Sequence, residues 1–391
     1  MDSDTAMTTN GLGSVKGVLQ RLLRHGHASV VPVIFLAVVI RLYLFYSVPY
    51  IVKSDETLYA HMAYYVLHGS GFGFWEERSY FYPMILLSAI VFSHPWLTSV
   101  WDPFLLTVTR SFTLVMDIIC VLLTYLVGRS IAGEKAGLIA SFLLSICWLD
   151  AYWGFRPVSE VPAMLFLLIS LLFAVKGFLL DSRLRFFLAG LFLGFSFMVR
   201  FQSILLFLPL VAVLIRRRGQ LKYAFYGLAL AILMQGIVDL ISWGSFLSSP
   251  WNFFVLNILS RGSARWGKSP FPYYIERIPE IVGWGALIMV FLSLFSLDSP
   301  VSLLWLSIVI HVGIFSLVAH KERRFLVPII PMFHLLAAVG FVWFEKRLSN
   351  RLYRIILLLF LILPELYLSL DIISSIAAYK FLNPLPAERL L

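Results

Sequence analysis

Polar positions in this chain are sparse and grouped. Apolar runs recur almost end to end, at residues 29–47, 108–127, 136–150, 160–178, 186–199, 202–215, 223–240, 281–297, 301–318, 325–344 and 355–376. A helix rises about 1.5 Å per residue, so roughly 20 apolar residues cross a bilayer. The pattern predicts an all-α polytopic membrane protein with about eleven transmembrane helices. The runs at 136–150 and 186–199 are short enough to predict tilted or broken helices. An apolar piece at 84–97 is too short to cross and predicts an amphipathic or interfacial helix.

Apolar runs leave no room for a separate soluble module, which implies one membrane-embedded domain over residues 1–391. Residues 1–28, with Lys16, Arg21 and Arg24, read as a cytosolic segment ahead of a retained first span. An odd number of crossings then places two long polar segments, 48–107 and 241–280, on the non-cytosolic face. Short connectors such as "RRRG" and "EKRLSNRLYR" fall on the cytosolic side, as the positive-inside rule requires.

Composition agrees with this picture: 60% of residues are hydrophobic, 13% are charged and the mean hydropathy is +0.89. A net charge of +10 would ordinarily point to nucleic acid or an anionic surface. Here the cations outside crowd into a few segments that also hold acids, aromatics and prolines, which points away from nucleic acid and toward a site. Cys120 and Cys147 lie inside apolar runs and read as small buried hydrophobes. No acidic or histidine cluster has metal-ligand spacing, so neither a metal nor a cofactor is expected.

Two polar constellations carry chemistry. "SDETLY" follows the first span, and Asp55 there is either the N-cap of a helix or a general base held at the membrane surface. "HKERRF", residues 320–325, interrupts two apolar runs. Each charge at a helix centre would cost about 2.5–3.5 kcal/mol, so these residues lie at an interface or line a polar cavity. They form either a tight loop or an anion clamp, since Arg presents paired N–H donors that fit phosphate oxygens and Lys a point charge. A sugar leaving a polyprenyl phosphate needs one base for the acceptor hydroxyl and cations for the departing phosphate. Glycosidases expel an alcohol and usually need two carboxyl groups. One early acid and a late basic motif fit the transferase.

"HKERRF" resembles the His-Lys-Glu-x-Arg-Phe signature of glycosyltransferase family 22, the GT-C-fold mannosyltransferases of GPI-anchor and N-glycan precursor assembly. "SDET" at 54–57 with "WEERSYFYP" at 75–83 is similar to that family's first lumenal loop. "WGSFLSSPWNFFVLN" at 243–257 with "RWGKSPFPYY" at 265–274 is similar to its later loop, and "MVRFQSILLFLPL" at 198–210 to its Arg-containing membrane segment.

The resemblance implies inverting transfer of mannose from dolichyl- or polyprenyl-phosphate mannose to a lipid-linked glycan, on the non-cytosolic face and without a nucleotide sugar. On this sequence it makes Asp55 the candidate base and Glu56 its neighbour. His320, Lys321, Arg323 and Arg324 become phosphate ligands, with Arg200 and Arg265 as helpers and Glu322 ordering the cations. Trp75, Glu76, Arg78, Tyr80, Trp266, Tyr273 and Tyr274 become substrate contacts. The expected membrane is the plasma membrane of a prokaryote or the endoplasmic reticulum of a eukaryote. Competing readings are a GT-C transferase for another sugar or a protein acceptor, and a transporter or scramblase of polyprenyl-linked sugars.

Among charges within or beside the spans, Asp117 is expected to bond a neighbouring helix and Arg41 to snorkel or pair. Arg110 is expected near the cavity, Glu160 at an outer helix start, and His311 in an interhelical contact.

Overall fold

The structure, a computed structural model, describes residues 28–382 except 49–54, 70, 71, 74, 94, 95, 98, 216 and 261. The expected cytosolic segment at 1–28 lies outside the described residues up to position 27. All regular elements among the described residues are helical. They are α1 (Val31–Ser47), α2 (Asp55–Leu67), α3 (Phe81–Ser93), α4 (Pro103–Ala132), α5 (Glu134–Ile146), α6 (Trp148–Trp153), α7 (Glu160–Leu180) and α8 (Arg183–Val199). There follow α9 (Phe207–Leu214), α10 (Arg218–Trp243), α11 (Ser248–Phe254), α12 (Tyr273–Leu292), α13 (Ser299–Leu317), α14 (Ile330–Glu345) and α15 (Arg351–Leu382).

Among the described residues, seven helical stretches are long and apolar enough to cross a membrane, the first Pro103–Ala132 and the last Arg351–Ser375. The apolar helices Val31–Ser47, Phe81–Ser93 and Phe201–Leu214 are shorter. The expected count of eleven therefore does not follow from length and composition alone. The run at 136–150 becomes α5 and α6, broken at Cys147, whose extended backbone ends the first helix. The run at 202–215 begins as 3-10 turns, Phe201–Leu206, after Arg200 leaves helical geometry. The interfacial piece expected at 84–97 is α3, slightly earlier than its apolar pattern placed it.

Helix starts follow local chemistry. Asp102 accepts the N–H of Phe104 and Pro103 occupies the first turn of α4, while Asp298 does the same for Val301 ahead of Pro300 in α13. Gly133, at φ 87°, makes the tight α4–α5 corner. Small residues set the closest approach: a Cβ on Gly227 would lie 2.0 Å from the carbonyl oxygen of Phe187, so α8 and α10 touch backbone to backbone.

An eighteen-residue apolar part of Arg323–Glu345 is 94% buried and forms the centre of the bundle, whereas the corresponding part of Arg351–Ser375 is 22% buried and lies on the outside. Buried charges among the described residues are paired or hydrogen-bonded, as a low-dielectric interior demands. Arg41 of α1 binds both Asp117 of α4 and Asp150 of α6, which realises the expected pairing of Arg41 and the interhelical bond of Asp117. His311 Nε2 lies 2.9 Å from the carbonyl of Phe325, an interhelical contact as expected. Lys135 reaches Glu345, tying the α4–α5 corner to the far end of α14. The beginning of that central stretch lies at the opposite end of the bundle, beside α2.

Candidate active site

The two constellations, remote in sequence, meet at that opposite end. Asp55 is the first described residue of α2 and only partly buried. Its Oδ1 accepts Arg78 Nη2 at 3.1 Å and its Oδ2 lies 2.9 Å from Arg324 Nη1. Burial acts to raise the pKa of Asp55, but the charges of Arg78 and Arg324 outweigh it and hold it below the ordinary carboxylate value. The group is ionised, as a proton acceptor must be, and both of its oxygens are engaged.

Arg324 is the hub. Its Nε lies 2.6 Å from Glu322 and 3.7 Å from Glu160. Glu160, at the start of α7, pairs in turn with Arg200 Nη1 at 2.8 Å. Glu322 also faces His320 Nε2 at 2.8 Å. Burial would raise the pKa of Glu322, but the His320 hydrogen bond and the Arg324 charge bring it down to about 2. The expected role of Glu322, ordering the cations through ion pairs, matches this geometry.

The remaining cations of "HKERRF" point elsewhere. Lys321 is buried, and its ammonium donates to the carbonyls of Ser269 at 2.8 Å and Val318 at 2.6 Å. It pins the segment around Ser269 to the "HKERRF" loop. Arg323 pairs with Glu280 at 3.2 Å and lies over the Trp148 ring. Arg324 thus makes the direct bond to Asp55, and Arg200 stands one carboxylate away through Glu160.

Glu56, next in sequence to Asp55, turns inward. It is 1% exposed, 2.6 Å from Arg156 Nη1 and 3.6 Å from Arg110 Nε. Helical geometry puts adjacent residues about 100° apart, so one acid faces the cavity and the other locks α2 to the bundle. Arg110 meets the site region through Glu56. Glu160 sits at its helix start as expected, with a part in the charge network that its position alone did not reveal.

Among the expected substrate contacts, Arg78 is in the site and also donates to the hydroxyl of Tyr59 at 3.1 Å. Tyr80 is buried, its hydroxyl accepting the N–H of Gly73, so it shapes the first loop from within. Trp75 and Glu76 are exposed, and Glu76 accepts Asn252 Nδ2 at 3.3 Å across to the later segment. Arg265 and Trp266 are also exposed, Tyr273 is half-buried under Arg277, and Tyr274 is fully buried. A narrow cleft beside Asp55 is lined by Arg78, Ser159, Arg200, Gln202 and Phe253. Sequence reasoning singled out neither Ser159, Gln202 nor Phe253. Arg156, a cation on the outer side ahead of Pro157, broke the positive-inside rule just as "HKERRF" did and could have been found by it.

A sequence profile of the Alg9-like mannosyltransferase family matches residues 33–383. The chain belongs to that family. A Drosophila melanogaster Dol-P-Man:Man(7)GlcNAc(2)-PP-Dol alpha-1,6-mannosyltransferase is 29% identical over 204 residues, 50% of this chain and 29% of that protein. The Caenorhabditis elegans alpha-1,2-mannosyltransferase algn-9 is 25% identical over 309 residues, 70% of this chain and 49% of that protein. The matched stretches thus cover about half or less of these relatives' own lengths. Two GT-C structures share the fold. ArnT from Cupriavidus metallidurans superposes with a TM-score of 0.59 at 16% identity, covering 83% of this chain and 61% of its own. The Archaeoglobus fulgidus oligosaccharyltransferase does so with 0.61 at 14%, covering 90% and 56%. The GT-C fold expected for this Alg9-like chain is therefore the fold it has.

The profile leaves the metal question to the side chains. Among the described residues, Cys147, His334 and Glu365 bring one ligand atom each to within 4.8 Å of one another. All three are buried, and they come from parts of the chain too far apart for sequence spacing to reveal.

Proposed function

We propose that this Alg9-like protein is an inverting mannosyltransferase that moves mannose from a dolichyl- or polyprenyl-phosphate carrier to a hydroxyl of a lipid-linked glycan. The observation that supports the proposal is the ion pair between Asp55 and Arg324, which brings the proposed base into contact with a cation that could bind phosphate.

The mechanism follows from that contact. In the resting site Arg78 and Arg324 hold both oxygens of Asp55 and weaken it as a base. A donor phosphate entering beside Arg78, Arg200 and Arg324 would compete for the same guanidinium groups. As it draws them off, the pKa of Asp55 rises and an oxygen is freed to take the acceptor's proton. The C–O bond to the departing phosphate breaks as the acceptor oxygen attacks from the other face of the sugar, and the charge left on the phosphate falls among the arginines. Glu322 and Glu160 keep those arginines aimed. His320 helps through Glu322, while Lys321 fixes the loop that carries them.

The names of the relatives support mannose and a dolichol carrier: the Drosophila melanogaster relative is named as using Dol-P-Man. One GT-C neighbour was solved bound to undecaprenyl phosphate. The site lies on the membrane face opposite the short basic connectors.

The test is transfer in reconstituted vesicles. Purified protein supplied with radiolabelled dolichyl-phosphate mannose and a membrane lipid extract is expected to label a lipid-linked glycan. Donor binding without any labelled product would overturn the proposal. A carrier of polyprenyl-linked sugars would move label across the bilayer and would do so equally well with Asp55→Asn.

A further inference from the structure

At the end of the bundle away from Asp55, a cleft of about 400 Å³ opens between the α4–α5 corner and the connection from α14 to α15. The sixteen residues of α14, at about 1.5 Å each, put roughly 24 Å between this cleft and the "HKERRF" end. It therefore belongs to a different surface. The size suits a small-molecule or headgroup site.

Its polar wall is made by Lys135, Glu345, Arg351 and Arg354, and its apolar part by Phe341 and Leu358. Lys135 donates to both oxygens of Glu345, at 2.5 and 2.7 Å, so that carboxylate is already matched. Arg354 donates Nε and Nη2 to the carbonyl of Leu348, at 2.9 and 2.8 Å, which fixes the guanidinium without neutralising it. Arg351 is exposed. Among the described residues no carboxylate pairs with Arg351 or Arg354. Three cations against one acid leave the cleft with a surplus of positive charge.

The surroundings choose the ligand. Ile355 lines the cleft and, beyond it, α15 turns outward Ile356 and Leu359, each close to half exposed on the outer helix of the bundle. An anion seated between Arg351 and Arg354 would thus have an apolar surface running away from it along the helix. The short basic connectors put this end in the cytosolic leaflet, where anionic headgroups concentrate.

We propose that this cleft binds the phosphate of an anionic phospholipid in the cytosolic leaflet, held by Arg351 and Arg354, with an acyl chain along α15.

Wild type and Arg351→Gln/Arg354→Gln would be reconstituted in nanodiscs of phosphatidylcholine with a minor share of phosphatidylglycerol, and the lipid kept through native mass spectrometry counted. Wild type is expected to keep a phosphatidylglycerol that the double variant loses several-fold. Thermal melting in phosphatidylcholine alone checks folding. Arg351→Gln alone, whose guanidinium is exposed, serves if the double variant is unstable, and it should show a partial loss. Equal retention by wild type and the folded variants would overturn the proposal. Inorganic phosphate stabilising wild type in phosphatidylcholine as much as phosphatidylglycerol does would assign the cleft to a free anion and overturn the lipid reading.

Discussion

Arg324 Nη1 lies 2.9 Å from Asp55 Oδ2, joining the start of α2 to the "HKERRF" loop in one ion pair. The same arginine holds Glu322 through its Nε at 2.6 Å. A base clamped in this way is quiet until another anion claims the clamp. On the proposed mechanism donor binding and base activation are one event, and the two residues should fail in different ways when altered.

Asp55→Asn keeps the shape and removes the proton acceptor. Transfer should fall by about 10²–10⁴-fold, the usual worth of a positioned general base. Donor affinity should hold or improve, because Arg78 and Arg324 lose a competing anion. Initial rates in vesicles together with donor binding separate these effects. Unchanged transfer would remove Asp55 from the base role.

Arg324→Gln should weaken donor binding at least about tenfold, as loss of a charge-assisted bond costs about 1.5–3 kcal/mol. It should also move the pH profile. Arg324 is one of the charges that lower the pKa of Asp55, so without it Asp55 protonates at higher pH. The acid limb of transfer therefore shifts upward. A pH–rate series on kcat/KM at low donor reads the shift, because that ratio reports the free enzyme, in which Arg324 still holds Asp55.

Much of this was legible in the sequence. The apolar runs mark most of the helices, and "SDET" and "HKERRF" name the two segments whose Asp55 and Arg324 the structure brings together. What stayed hidden is direction. The three cations Lys321, Arg323 and Arg324 look alike as letters, yet Arg324 reaches Asp55, Lys321 turns to backbone carbonyls and Arg323 to Glu280. Those choices depend on which element packs opposite, a long-range fact that local pattern does not carry. The same holds for the break at Cys147 and for the meeting of Arg41 with Asp117 and Asp150.

Glu322 should contribute stability in a pH-dependent way. Its folded pKa is depressed from 4.5 to about 2, so the contribution is fully present above the unfolded value and is lost as pH falls toward the folded one. The melting-temperature difference between wild type and Glu322→Gln should be constant from neutral pH down to about pH 5 and then shrink on further acidification. A difference that persists unchanged to the lowest pH would show that the carboxylate charge is not what Arg324 and His320 hold.

Glu56→Gln supplies the contrast with Asp55→Asn, since the two acids are neighbours in sequence with opposite surroundings. Glu56 is 1% exposed and faces Arg156 and Arg110. Arg156 packs over Tyr152 and Trp153, where little water can replace a lost partner. Breaking a buried pair from one side typically costs about 3–5 kcal/mol, so Glu56→Gln should lower thermal stability markedly. The partly exposed Asp55→Asn should be milder. Combining Glu56→Gln with Arg156→Gln should recover part of the loss, because the second change removes the stranded charge. If Glu56→Gln instead melted like wild type and lost transfer, Glu56 would belong to the chemistry, and the inward turn of its side chain would have to reverse when substrate binds.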